Sequence, residues 1–130
     1  MMIEDGHDPP GPAVAGARSQ ALFHDFVRAL GTARTPRVCL QHFIEFLAAS
    51  RTRLASEGRP SGGAPERALG DMMRWSTAQF EAMGTGDLAD AYALHLLAAI
   101  EGATALAAEL GDPCVIRREA DSLLHWLRGL

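Results

Sequence analysis

Apolar side chains recur along this chain at intervals of three and four residues, in five blocks separated by glycine- and proline-bearing breaks. That interval is the repeat of one α-helix face. The first block spans Ala17 to Leu30, with Leu22, Phe23, Phe26, Val27 and Leu30 on one side and Gly31 as its stop. The second opens at Thr35-Pro36, a cap followed by a first-turn proline, carries Leu40, Phe43, Ile44, Leu47 and Leu54, and ends near Gly58. After "GRPSGGA" the third runs from Pro65 to Met83, with Leu69, Met72, Met73, Phe80 and Met83 inward, and "GTG" over Gly84 to Gly86 closes it. The fourth begins after Asp87, with Asp90 in a capping-box-like place, and continues to Leu110. The fifth has Asp112 as its cap and Pro113 as its first residue. No stretch alternates with period two for long enough to be a strand. The pattern predicts an all-α bundle of about five helices over residues 17–130, preceded by a flexible Pro- and Gly-bearing arm over 1–16.

The fourth block is apolar nearly all round. Leu88, Tyr92, His95, Leu96, Ala99, Ile100, Ala103, Leu106 and Leu110 form one face, and Leu94, Leu97, Ala98, Ala105 and Ala108 cover most of the remainder. Such a helix must be buried on more than one side, and a domain this small does that with difficulty. The fifth block adds Ile116, Ala120, Leu123, Leu124, Leu127 and Leu130, with Trp126 pointing elsewhere. The economical arrangement is a homodimer. Its last two helices would form a symmetric four-helix interface through Leu97, Ala105, Ala120, Leu123, Leu124 and Leu127. The alternative is a monomer with the fourth helix at its centre. Ala91 to Ala108 is the longest apolar stretch, but Glu101 near its middle argues against a membrane span.

Composition narrows the function classes. The chain has 130 residues, the size of one domain, with 48% hydrophobic and 22% charged residues. Aromatics are only 6%, and alanine supplies much of the apolar content, which suits close-packed helices. A net charge of −4 argues against a nucleic-acid surface. All twelve cations are arginine, which reads as codon bias rather than function. Cys39 and Cys114 lack metal or redox spacing and read as ordinary thiols in a reducing cytoplasm. The first residues have no basic region and no apolar run, so no signal peptide is expected there.

Signs of catalysis are sparse. His42 and Glu45 stand three apart and His24 and Asp25 are adjacent, but neither pair is a metal signature. The paired Glu-x-x-His set of di-iron bundles is missing, as are H-E-x-x-H, P-loop, G-x-S-x-G and C-x-x-C motifs. The residues assign no catalytic group, metal or cofactor. An enzyme using His95 and a carboxylate such as Glu101 is the weakest of the readings left open.

The tail "LLAAIEGATALAAELGDPCVIRREADSLLHWLRGL" resembles the end of the C-terminal ligand-binding domain of TetR-family transcriptional regulators. The residues that carry the likeness are Ile100, Glu101, Gly102, Ala103, Ala107, Asp112, Pro113, Ala120, Leu123, Leu124 and Leu127. "GAPERALGD" at Gly63 to Asp71 matches in part a motif of one subgroup, with Ala64, Gly70 and Asp71 replacing its Cys, Ala and Glu. Such regulators open with a helix-turn-helix reader of about fifty residues, and the sequence before the first helical block lacks its length and its basic recognition helix. This chain alone is therefore expected not to bind DNA.

The resemblance implies a dimeric sensor holding a small apolar or aromatic molecule among the first four helices. Residue types support such a pocket at Phe43, Met72, Trp75, Phe80 and Met83, with Tyr92 and His95 as polar groups three residues apart on one face. The same methionine and aromatic stripe also reads as plain core. The alternative function is a stand-alone interaction or scaffold protein.

Overall fold

The computed structural model describes residues 12–56 and 66–130, with side-chain surroundings for 18–56 and 68–130. Among the described residues there are five α-helices: α1 Pro12–Leu30, α2 Pro36–Ser56, α3 Glu66–Ala82, α4 Ala89–Leu110 and α5 Cys114–Arg128. No strand occurs among the described residues. The chain is an all-α bundle, as its apolar periodicity predicts. α1 starts at Pro12, so the last part of the expected arm belongs to this helix. Residues 1–11 of that arm, and the predicted "GRPSGGA" break, lie outside the described residues.

The helix ends follow from local chemistry. Thr35 Oγ1 accepts from the Val38 amide at 3.3 Å at the start of α2. Asp112 Oδ1 accepts from the Cys114 amide at 3.0 Å at the start of α5. Gly111 ends α4 at φ 63°, a left-handed position that costs other residues a Cβ clash, and the next amide, Asp112, returns to the Ala107 carbonyl at 3.0 Å. The capping box expected at Asp87 and Asp90 does not form. Gly86–Leu88 makes a short 3-10 turn instead, and Leu88 enters α4 with no side-chain cap.

α4 runs through the middle and packs against α2, α3 and α5, while α1 lies on α3. The core gathers Leu40, Phe43, Ile44 and Leu47 from α2, Met72 and Phe80 from α3, Leu96, Leu97 and Ile100 from α4, and Ile116, Leu123 and Leu127 from α5. Burial of this kind is the main stabilising term, each full-sized side chain contributing about 1.5–3 kcal/mol. Two buried hydroxyls hydrogen-bond to their own helix: Ser76 Oγ to the Met72 carbonyl at 2.6 Å and Thr104 Oγ1 to the Ile100 carbonyl at 2.7 Å. Polar pins join the helices outside the core. Arg117 on α5 reaches Glu45 on α2 at 2.7 Å, and Arg37 on α2 donates to the Leu127 and Leu130 carbonyls at the end of α5, the latter at 2.6 Å. The Glu45 carboxylate above all, with Asp121 adding, holds the Arg117 guanidinium firmly charged.

Candidate functional site

α4 turns a different face inward from the one its sequence suggests. Ala89, Ala93, Leu96, Leu97, Ile100, Ala103, Thr104 and Ala107 are buried. Leu88, His95, Leu106 and Leu110, expected inside, are exposed. A helix apolar all round has a weak amphipathic signal, so its neighbours decide the inward face. Among the described residues, α2, α3 and α5 cover one side of α4 and leave the other exposed.

The predicted dimer residues change accordingly. Leu97, Ala120, Leu123 and Leu127 are at most 4% exposed and lie in the chain's own core, so they are not free to meet a second copy. Leu124 is half-buried against that core. The physical reason is that α5 spends its single apolar stripe on α2 and α4 within the chain. Of the predicted set, Ala105 alone is exposed.

The bare side of α4 carries Ala91, Leu94, Ala98, Gly102 and Ala105 at three- and four-residue spacing, with Leu106 beside them. Leu94 is 60% and Leu106 56% exposed. A Cβ placed on Gly102 would meet nothing within 4 Å, so the fold of one chain does not require a glycine there. Beside this face, Ala98, Ala99, Gly102, Ala103 and Leu106 of α4 and Val115, Arg118 and Glu119 of α5 line an open groove of about 380 Å³. The stretch Gly86–Leu110 is long and apolar enough to cross a membrane by length and composition. In this fold, though, it is the central helix, and Glu101 on it is bound to Arg51 of α2 by a 2.8 Å hydrogen bond from Nε. Arg51 Nη2 also comes within 2.7 Å of the same carboxylate oxygen, but the approach is not aligned for a hydrogen bond, and that buried N–H is left without a partner.

The predicted ligand residues separate into two aromatic clusters. Phe43 and Trp75, 5.1 Å apart, join Phe23 and Phe26 of α1 where α1, α2 and α3 meet. Phe80, Tyr92 and His95 gather instead around Trp126 of α5, at 5.9, 5.5 and 4.7 Å. Trp126 therefore points inward, contrary to expectation. Its position was missed because it lies off the α5 leucine stripe and reaches α3 and α4 through their aromatic rings. Met72 is buried, and Met83 packs half-buried against the same core. His95 is exposed rather than enclosed, its ring steeply inclined to the indole of Trp126. Among the described residues, Phe43 and Trp75 belong to one aromatic cluster and Phe80, Tyr92 and His95 to another.

Trp75 does border an open depression, of about 710 Å³, between α1 and α3. Phe23, His24, Val27, Arg28, Asp71 and Arg74 complete its lining. Asp71 is its polar centre, accepting from Gln20 Nε2 at 2.7 Å, from His24 Nε2 at 3.2 Å and from Arg74. The Gln20 hydrogen bond above all, with Arg74 and His24 adding, holds the Asp71 carboxyl below the ordinary carboxylate range against an opposing desolvation. Sequence reading noted His24 only beside Asp25. Its actual partner is 47 residues away, and no local spacing could have found it. Among the described residues, no three His, Cys, Asp or Glu side chains gather as a metal site.

No protein-family model matches this chain, and no curated protein matches it either.

Proposed function

We propose that this chain is a self-associating helical domain that binds a small effector, of the kind its likeness to TetR-type sensor domains suggests. The observation that carries the reading is the bare apolar face of α4. Exposed contiguous apolar surface of this kind marks interaction sites. The occupant we infer is a second copy of the chain. The small residues at Ala98, Gly102 and Ala105 let a helix backbone come close, and the adjoining groove carries both Arg118 and Glu119. A two-fold axis at such a groove sets Arg118 of one copy against Glu119 of the other, which makes the surface complementary to itself. The effector's place is then the α1–α3 depression rather than the interior around Phe80 and Tyr92.

A second reading, a self-associating scaffold without an effector, is favoured by the way Phe80, Tyr92 and Trp126 pack on one another. Dimerisation is common to both readings, and a cross-link tests it. Ala98→Cys in a Cys114→Ser background is expected to oxidise to a covalent dimer, since a residue beside the two-fold axis brings its Cα within disulfide reach of its copy. Cys39 is buried and stays out of the reaction. A cysteine at exposed Asp121 should not cross-link. Equal cross-linking at both positions, or none at 98, contradicts the α4 interface.

A further inference from the structure

The α1–α3 depression sets an apolar floor beneath a cationic rim. Phe23, Val27 and Trp75 form the floor, and Arg28 and Arg74 stand above it. It is open to solvent along most of its extent, with about 710 Å³ of accessible space above the floor. The lining carries two arginines and one aspartate, and Asp25 next to Arg28 supplies a second carboxylate, so each guanidinium has one acidic neighbour. Asp71 is already occupied by Gln20, His24 and Arg74, so it offers little to a cationic guest. The arginines keep donors in reserve. Arg28 meets Asp25, and Arg74 meets Asp71, each through Nη2, and both side chains are about three-quarters exposed. A guanidinium has five N–H donors in a planar fork that matches a carboxylate. The Trp75 indole beside them offers a ring for a flat apolar body to pack against.

We propose that this depression binds a planar aromatic carboxylate, its ring against Trp75 and its carboxylate on Arg28 and Arg74. The assignment rests on the effector-binding half of the function proposed above. It fixes the ligand's charge, which that reading leaves open.

The experiment compares 1-naphthoate with its neutral analogue 1-naphthalenemethanol. It is run on full-length Trp126→Phe protein, so that Trp75 alone reports by fluorescence. Naphthoate is expected to quench Trp75 saturably, to raise the melting temperature, and to bind roughly tenfold more tightly than the alcohol, the scale of one charge-assisted hydrogen bond. Arg28→Gln with Arg74→Gln should bring naphthoate down to the level of the alcohol. Should the double variant prove unstable, Arg28→Gln alone is the check, because its pair with Asp25 lies within one helix. It must still weaken naphthoate while leaving the alcohol unchanged. Equal binding of the two compounds overturns the carboxylate assignment and leaves effector binding standing. Binding of neither overturns both.

Discussion

Gly102 is costly where it stands. A glycine inside a helix is less favourable than alanine by about 0.5–1 kcal/mol, and here a Cβ would touch nothing in its own chain. Within one molecule Gly102→Ala should therefore be stabilising, by about that amount, in urea unfolding at low concentration. At the proposed interface the same methyl pushes two backbones apart, so the variant should associate more weakly than the parent. Gain in the monomer with loss in the dimer is the expected signature. An unchanged or stronger association would show that no second helix approaches there. Asp71 gives a prediction in pH. Its carboxyl is held below its ordinary value in the folded chain, so folding favours the deprotonated form. That contribution is complete above about pH 4, the unfolded value, and is lost as pH falls through the lower folded one. The melting-temperature gap between the parent and Asp71→Asn should be widest near neutrality and close in acid. A gap that persists at acid pH would mean that the carboxylate's charge is not what ties α1 to α3.

Leu123 and Leu106 separate the two faces of the α4–α5 pair. Leu123 is 1% exposed, so Leu123→Ala should cost about 2–5 kcal/mol of folding stability, the usual range for a buried leucine. Leu106→Ala should change monomer stability by less than about 0.5 kcal/mol, as surface substitutions do. Chemical denaturation at low concentration checks both, and a large loss at Leu106 would contradict the assigned orientation of α4. The elements themselves were legible in the sequence. Thr35-Pro36, Gly31 and Gly111 carry a cap and stops that depend on a few adjacent residues, and they operate as the pattern predicts, whereas α5 begins one residue later than expected, with Pro113 at its cap and Cys114 as its first residue. The rotation of α4 was not legible. With leucine or alanine at most positions around it, the helix buries whichever side α2, α3 and α5 cover, and those contacts are long-range. α5 was harder still, since its stripe serves its own core and an interface equally well on paper.

At the scale of the molecule, the candidate site was legible only in pieces. Trp75 borders the α1–α3 depression rather than a space shared with Phe80, Tyr92 and His95, and Ala105 is exposed on α4. The Gln20–His24–Asp71 cluster depends on how α1 lies across α3, and the Arg51–Glu101 pair joins positions 50 residues apart. Neither is written in any local spacing. In the proposed dimer, α4 presents its exposed apolar face to a second copy. Analytical ultracentrifugation of the parent beside Leu94→Asp with Leu106→Asp tests it most directly. Both side chains are more than half exposed, so the double variant should keep its helical circular dichroism while losing its partner, since an unpaired charge in an apolar interface is strongly unfavourable. The parent should sediment as a two-chain particle at micromolar concentration and the variant as a single chain. A monomeric parent, or a dimer that survives both aspartates, would contradict the α4 interface.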